Sequence, residues 1–489
     1  MCIRDRPRRD PRRDRVMTGV WALLAFVAVI IVWNAVFKRN IGEAMILGFV
    51  AVCAFAVVGG TEHGGSAWSA IGDAVADALQ EEVTFAGLAF VFMSYLLSRT
   101  PVLDRLIDLL NSVLGRLRGG PVYTATVAGG IFGAIAHVGA AVTAAVGAVT
   151  VPWMKRSGVR PELAATVVAG GAGMGVSFPF SATMFILVGG LAAQGIMQPD
   201  EIVAPLALAG LWCLGYRIVL AWFLVRRNGI EPVAEQDRLP LRRSLRSGWT
   251  SLLLFLPILV PLLLTRGPLA DALGGYAGVG EELKKPVRLA DGTALAAQPY
   301  AMSDVISLIT WIPVLMIALV LFLGRRHLPR TASGWWSTLG KAAPSFGVIG
   351  ITIVAAFSAS NVLADLGLAS QLEAVLASLE ASSWIMAVAI GVIIVAIAIP
   401  LTASATMAAV GPVAVAALVG AGIPAPVAAA AVLIFASTEG ASPPSGAPIY
   451  VAAGIAQVDP VKTFLPLLKY YCLPILALGV LIAVGVLPV

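Results

Sequence analysis

The stretch covering residues 121–198 recurs near the C-terminus at a constant offset. Gly147 matches Gly411, which lies 264 positions later, and the alignment continues without a gap for about fifty residues. Alanine and valine are abundant in this chain, so the informative identities are those of glycine, proline and serine. They pair Gly158 with Gly422, Pro179 with Pro443, Ser181 with Ser445 and Gly190 with Gly454. The recurrence predicts an internal duplication; the alternative is a coincidence of composition.

The composition of the chain predicts that both copies lie in a lipid bilayer. Hydrophobic residues make up 59% of the 489 residues and charged residues 12%, and the mean hydropathy is +0.91. A soluble protein carries about twice that charged fraction, whereas apolar runs of about 20 residues, long enough to cross a hydrocarbon core, recur throughout this chain. The net charge of +6 comes from short basic clusters between apolar runs, which is typical of membrane orientation and not of nucleic-acid binding. The four cysteines are scattered, so we expect packing residues and neither disulfides nor metal ligands.

Residues 1–16 differ from the rest of the chain. They are rich in arginine, aspartate and proline, lack the apolar core of a signal peptide and cannot form a core of their own. We interpret this segment as an artefactual leader, with the working chain beginning near Met17; the alternative is a disordered cytoplasmic tail. Lys38 and Arg39 mark the cytoplasmic end of the first span, which puts Met17 outside, where an arginine-rich tail would oppose the charge bias. The charge pattern therefore favours the leader interpretation.

The distribution of charge also predicts a first repeat over residues 17–226. Residues 121–153 lie between basic clusters of the cytoplasmic side, and they are too few for two crossings yet too apolar for a surface loop. We therefore predict a re-entrant hairpin with its tip near residues 136–139. Residues 161–198 then cross outward, but glycines and Pro179 in AGGAGMGVSFPFS interrupt the helix at mid-depth. The alternative to this broken helix is a kinked helix whose glycines allow close packing.

The second repeat, residues 248–489, is predicted to be inverted. A basic cytoplasmic linker at 227–247 precedes it, and the intervening spans bring the second copy to its start on the outer side. The offset predicts a hairpin over 386–417, with its tip near residues 400–402, and a broken helix over 425–461. The expected fold is an all-α polytopic membrane protein of two inverted-topology repeats, each with a re-entrant helical hairpin and a discontinuous transmembrane helix.

The hairpin tips and the broken helices form the predicted binding site. Non-helical backbone at membrane depth is tolerated only beside protein or a water-filled cavity, and broken helices present free N–H and C=O groups to ions and anionic substrates. The candidate residues are His137, Gly139, Thr143, Gly171, Gly173, Ser177, Pro179, Ser181, Thr402, Ser404, Thr406, Glu439, Gly440, Ser442, Pro443 and Pro444. His137 and Glu439 are the ionisable groups expected at depth. Our hypothesis is that they couple transport to protons or that His137 contacts a substrate carboxylate; the alternative is a histidine that only plugs the tip by bonding backbone carbonyls.

Three segments resemble the large membrane subunit of the TRAP (tripartite ATP-independent periplasmic) transporters. They are GRLRGGP at 115–121, FGAIAHVGAAVTAAVGAVTVPWMKRSGVRPELAA at 132–165 and ASPPSGAPIYVAAGIAQVDPVKTF at 441–464, and the resemblance covers about residues 82–489. It implies a sodium-driven importer of the ion-transporter superfamily that works by an elevator motion. It also implies two partners, a small membrane subunit and a periplasmic substrate-binding protein that delivers organic acids.

The chain departs from the family pattern at three places. The family's Ser-Gly-Ser in the first hairpin is Ala136-His137-Val138, its Pro-Pro in the first broken helix is Pro179-Phe180, and its Pro-Thr-Thr in the second hairpin is Thr402-Ala403-Ser404. Sodium is a hard cation that prefers oxygen ligands, and the first of these replacements removes two hydroxyls. The sodium ligands implied by the resemblance are Gly139, Gly173, Thr402, Ser404 and Ser442, with proton coupling as the alternative.

The sequence contains no recognisable enzyme constellation. The chain has three histidines, no metal-ligand spacing, no P-loop and no nucleophile elbow. We predict a non-enzymatic subunit of a secondary transporter in the bacterial inner membrane, importing a small carboxylate-type organic anion with Na+ or H+ as coupling ion and no other cofactor. The alternative is a stand-alone anion symporter of the same superfamily, and a more distant one is a non-transporting membrane scaffold or an intramembrane enzyme.

Overall fold

The regular structure in the described part of the computed structural model is helical. This part comprises residues 17–33, 37, 39, 41–59, 66–80, 82–136, 139–193, 196–198, 200–231, 240–265, 269, 308–368, 371, 382–399, 401–444 and 446–489. Seven helical stretches within it are long and apolar enough to cross a membrane. The all-α polytopic membrane fold expected from composition is therefore confirmed. The predicted leader 1–16 and His137 lie outside the described residues.

The first half of the chain contains the first predicted hairpin and broken helix. Its described helices are α1 (Thr18–Ile31), α2 (Ile41–Gly59), α3 (Ala67–Gln80), α4 (Glu82–Ser98), α5 (Val102–Leu114), α6 (Gly120–Ala136), α7 (Gly139–Arg156), α8 (Pro161–Ala172), α9 (Ala182–Ala193) and α10 (Val203–Arg227). Helices α6 and α7 occupy the predicted hairpin 121–153. Helices α8 and α9, with a 3₁₀ turn at Gly173–Ser177 after α8, occupy the predicted broken helix 161–198. Helix α3, which contains Asp73 and Asp77, is not among the elements predicted from the sequence.

The second half contains the corresponding elements. Its described helices are α11 (Leu241–Gly248), α12 (Leu256–Thr265), α13 (Leu308–Gly324), α14 (Ala332–Asp365), α15 (Ser383–Ala398), α16 (Ala403–Gly420), α17 (Ala425–Ala436), α18 (Ala447–Ala456), α19 (Val461–Leu467) and α20 (Leu473–Ala483). Helices α15 and α16 occupy the predicted hairpin 386–417. Helices α17 and α18, with a 3₁₀ turn at Glu439–Ala441 between them, occupy the predicted broken helix 425–461.

The helix bounds repeat at the offset that relates the two sequence copies. Helix α16 begins and ends 264 residues after α7, and α17 begins and ends 264 residues after α8. The turn within each pair contains a glycine with left-handed backbone, Gly158 at φ 79° and Gly422 at φ 86°, a conformation that side chains disfavour. These bounds agree with a duplication. The opposite orientation of the two copies across the membrane stays a prediction.

The two copies are interleaved in the helix packing. Helix α7 of the first hairpin packs against α18 of the second broken helix. Helix α16 of the second hairpin packs against α9 of the first broken helix. Helices α8 and α17 consist mainly of small and apolar residues, and they are buried over most of their length. The long helix α14 packs along α2, α3 and α4 at the side of this group. The broken helices therefore cross inside the packed protein.

Candidate functional site

The two broken helices cross where each leaves α-helical geometry. Gly173, the first residue of the 3₁₀ turn after α8, lies so close to the other copy that a Cβ on it would come within 2.2 Å of the Ser437 carbonyl oxygen. Reciprocally, a Cβ on Gly440 would lie 2.7 Å from the Ala169 carbonyl oxygen. Both distances are far below the optimum of about 3.5 Å for non-bonded atoms. The crossing therefore requires glycine at both positions.

Glu439 joins the starts of two hairpin helices at this crossing. Its Oε2 accepts a hydrogen bond of 2.6 Å from the backbone N–H of Ala403, the first residue of α16. Its Oε1 lies against Gly139, the first residue of α7, since a Cβ on that glycine would lie 3.0 Å from this oxygen. Partial positive charge is concentrated at helix N-termini, so the carboxylate lies between two such charges. Within the described residues, it has no ion-pair partner and no hydrogen-bond donor besides Ala403.

A small cavity adjoins the Glu439 carboxylate. Its volume of about 10 Å³ admits about one water-sized species. Its lining residues are Gly133, Gly139, Ala172, Gly173, Gly175, Val176, Ser181, Thr183 and Glu439. The Thr183 hydroxyl is 2.9 Å from the Ser404 hydroxyl of α16, which connects the cavity wall to the second hairpin. The cavity suits a water molecule or a monatomic cation and is too small for an organic acid.

The cavity brings together four of the residues predicted from sequence. These are Gly139, Gly173, Ser181 and Glu439, and Ser404 is one hydrogen bond away through Thr183. The sequence does not single out Thr183, although it lies two residues after Ser181, at the start of α9, a signal that could have identified it. The remaining cavity residues are small or apolar and belong to the glycine-rich segments that the sequence does predict.

The other described candidates have local partners or lie beside the cavity. The hydroxyls of Thr143, Thr406 and Ser442 each donate to the carbonyl four residues earlier in the chain. The Thr402 hydroxyl caps α16 by accepting the N–H of Ala405, and the Ser177 hydroxyl lies 3.6 Å from the Cys213 sulfur. Gly171 belongs to α8 and Gly440 to the crossing, while Pro179, Pro443 and Pro444 lie within the breaks.

The five sodium ligands implied by the resemblance are therefore not all gathered in one place. Gly139 and Gly173 line the cavity, and Ser404 is adjacent to it. Thr402 and Ser442 do not line it, and their hydroxyls have the local partners given above. The lining residues that carry side-chain oxygens are instead Glu439, Ser181 and Thr183.

A buried arginine contacts the last turn of α8, next to the crossing. Arg217 is in the middle of α10 and only 1% exposed. Its Nε donates to the Gly170 carbonyl over 3.4 Å, its Nη1 contacts the Cys213 sulfur, and its Nη2 has no partner among the described residues. Gly170 belongs to the last turn of α8, whose carbonyls lack intrahelical donors, so the cation lies at the negative end of that helix. The sequence signal for this residue is an arginine within the apolar run 203–225.

The fold and the site define a multi-pass membrane protein in which broken helices and hairpin helices converge on an acidic cavity inside the packed protein. The sequence model of the DctM component of the tripartite ATP-independent periplasmic transporters matches residues 20–488. The chain belongs to this family. It is therefore a multi-pass protein of the bacterial inner membrane, and the resemblance found in its three sequence segments is confirmed.

Two curated relatives align with about a third of the chain. The uncharacterized protein y4mL of Sinorhizobium fredii is 30% identical over 167 residues. The C4-dicarboxylate TRAP transporter large permease protein DctM of Pseudomonas aeruginosa is 27% identical over 172 residues. The alignments cover 33% and 34% of this chain, and they span 38% of the length of each relative.

Solved structures resemble the chain over nearly its whole length. The YdaH transporter of Alcanivorax borkumensis has a TM-score of 0.51 at 17% identity, covering 96% of this chain and 98% of its own. MtrF of Neisseria gonorrhoeae, described as illuminating a class of antimetabolite efflux pumps, has a TM-score of 0.46 at 14% identity, covering 97% and 95%. At these identities the likeness to YdaH concerns the fold alone.

Proposed function

We propose that the chain is the large subunit of a TRAP-type importer of a small organic anion, with a coupling cation bound beside Glu439. The observation that carries the proposal is the position of this carboxylate between the first residues of α7 and α16, next to a cavity for one water-sized species. An ionisable group inside a membrane protein marks an ion or proton pathway. Because the carboxylate contacts both hairpins, loading and release of the cation are coupled to hairpin position.

The organic anion binds outside this cavity. A volume of about 10 Å³ holds no more than about one water, so the substrate requires space that opens between the hairpins and the broken helices. Support for a carboxylate substrate comes from the name of the Pseudomonas aeruginosa relative, which specifies C4-dicarboxylates. We further propose that a small membrane subunit and a periplasmic substrate-binding protein act with this chain, as its family membership suggests.

Sodium is the coupling ion that we propose, with the proton as the second candidate. Glu439, Ser181 and Thr183 all line the cavity, and their side chains carry hard oxygen donors, which favours a hard cation. The same carboxylate could instead carry a proton, with His137, which the sequence predicts near the tip of the first hairpin, as its relay. A hydroxyl-poor hairpin is the sequence feature that favours this second candidate.

The test is uptake of a labelled C4-dicarboxylate into proteoliposomes that contain the chain, its small subunit and its binding protein. A sodium gradient at equal pH and a pH gradient at equal sodium are imposed separately. Glu439→Gln keeps an oxygen for the Ala403 N–H but removes the charge. We expect it to lower ion-driven uptake at least about tenfold, since hydrogen bonds to charged groups contribute about 1.5–3 kcal/mol.

Glu201→Gln is the matched control, because Glu201 is exposed in the connection before α10. We expect it to leave uptake unchanged. Wild-type uptake with unchanged ion dependence in Glu439→Gln would contradict the coupling role of this residue. Full ion-driven uptake without the binding protein would instead identify a stand-alone symporter.

A further inference from the structure

We infer that a cavity between α8, α10 and α19 binds the headgroup of an anionic phospholipid. The cavity has a volume of about 470 Å³ and opens at the N-terminus of α8 and the C-terminus of α10. It is separate from the cavity at Glu439, with which it shares no lining residue. Its size accommodates a phosphate-bearing headgroup.

Positive charge predominates around this cavity. Arg160, Arg227 and Lys462 line it, and Glu162 is its only lining carboxylate. Glu162 lies 3.8 Å from Lys462, and both side chains are substantially exposed. Within the described residues, Arg160 and Arg227 form no ion pair. The lining residues therefore carry more positive than negative charge, which favours an anionic ligand.

Hydrogen bonds within the protein connect polar residues of the wall. An Arg160 Nη2 donates to the Asn228 Oδ1 over 3.0 Å, and the Asn228 Nδ2 donates to the Leu224 carbonyl over 2.8 Å. Asn228 also lines the cavity. The guanidinium of Arg160 is thus oriented by a side chain that is itself fixed to the end of α10.

The surface beside the cavity is suited to acyl chains. Leu465 on α19 is 72% exposed and Phe223 on α10 is 41% exposed, and the Phe223 ring lies 6.5 Å from that of Tyr470, which lines the cavity. Arg227 lies over the Phe223 ring at 5.8 Å and Arg226 over the Trp222 ring at 4.5 Å. Aromatic and basic residues in this combination are typical of the membrane–water interface. The charged cavity therefore lies at headgroup level, with apolar helix surface continuing into the bilayer.

The three cations come from separate parts of the chain. The charge pattern of the sequence assigns the start of α8 and the end of α10 to the cytoplasmic side, and the structure brings Lys462 of α19 to the same cavity. Basic pockets between transmembrane helices on this side bind anionic lipid headgroups. A free anion would need the cations but not the adjacent apolar surface, so we assign the site to a lipid.

Native mass spectrometry of the purified full chain, titrated with phosphatidylglycerol or phosphatidylcholine in detergent, tests the assignment. We expect phosphatidylglycerol to bind more tightly than phosphatidylcholine. The double variant Arg160→Gln/Arg227→Gln should weaken phosphatidylglycerol about 30-fold, from the contribution of two basic residues. Arg242→Gln/Arg243→Gln removes the same charge from exposed positions of α11 and should bind as the wild type does.

Glu162→Gln provides a change in the opposite direction. It removes the only carboxylate of the cavity and should tighten phosphatidylglycerol about fivefold, a gain that misfolding cannot produce. Unchanged binding in the double variant, or no gain in Glu162→Gln, would overturn the assignment. Displacement of the lipid by inorganic phosphate at equal concentration would also overturn it, in favour of a free-anion site.

Discussion

The contact between α6 and the first broken helix should respond to added methyl groups in a graded way. A Cβ on Gly129 would lie 3.1 Å from the Gly171 carbonyl oxygen, a Cβ on Gly133 would lie 2.7 Å from the Gly175 nitrogen, and a Cβ on Gly175 would lie 1.8 Å from the Gly133 carbonyl carbon. Each obstacle is backbone, which cannot rotate away as a side chain can. The three alanine substitutions therefore probe one interface at increasing depth of overlap.

The expected magnitudes follow from the displacement that each methyl group demands. Restoring a separation of about 3.5 Å moves the two backbones apart by roughly 0.4, 0.8 and 1.7 Å for Gly129, Gly133 and Gly175. Overpacking of a well-packed core costs about 1–3 kcal/mol and occasionally more. We expect Gly129→Ala near the lower end of that range, and Gly175→Ala at or beyond its upper end.

The assay is thermal unfolding of the detergent-purified variants at one scan rate, because unfolding of large proteins is often irreversible. Gly215→Ala is the control, since Gly215 lies within α10 and a Cβ on it would meet no atom of a neighbouring element within 4 Å. It should be neutral or more stable by about 0.5–1 kcal/mol through helix propensity. Equal apparent Tm values for Gly175→Ala and Gly215→Ala, or a reversed order within the series, would refute the reasoning.

Three further predictions concern local features and use the same unfolding assay. Gly158→Ala and Gly422→Ala should each cost about 1–2 kcal/mol because both residues have left-handed backbone, whereas Gly454→Ala, with open space and ordinary backbone, should not. Arg217→Met should change stability by less than about 1.5 kcal/mol, because the methionine side chain fills most of the volume of the arginine side chain. Arg217→Ala should cost about 2–5 kcal/mol, because it leaves a cavity. Equal losses of stability in the two variants would assign the effect to the lost charge. Thr331→Ala should cost about 1 kcal/mol, since its hydroxyl accepts the Gly334 N–H at the start of α14, and an unchanged apparent Tm would contradict this role.

Much of the helical framework could be predicted from local sequence. Apolar runs long enough to cross a hydrocarbon core indicate that the chain lies in a bilayer. Glycine and proline mark the places where helices stop. The repeat offset then transfers the bounds of α7 and α8 to α16 and α17. Helix α3 is not predicted, because Asp73 and Asp77 interrupt its apolar pattern, although the adjacent Ala74 and Ala78 are buried.

The candidate site could be predicted only as a set of segments. Glu439 stands out in the sequence as an ionisable residue in an apolar stretch, but its hydrogen bond reaches Ala403, 36 positions away. Thr183 meets Ser404 across 221 positions, and neither pairing leaves a periodic or compositional trace in the chain. Arg217 reaches Gly170 in the same way, by the packing of α10 on the break.

The sequence by itself therefore determined that the protein lies in a bilayer and where its helices run and are interrupted. These features depend on local polarity and on the backbone preferences of glycine and proline. Only the tertiary structure decided which interruptions meet and which oxygens face one cavity. The physical reason is that helix packing brings together atoms that are distant in the chain, and the close approach of Gly173 to Ser437 sets where the broken helices cross. From that crossing follows the position of Glu439 between the two hairpins.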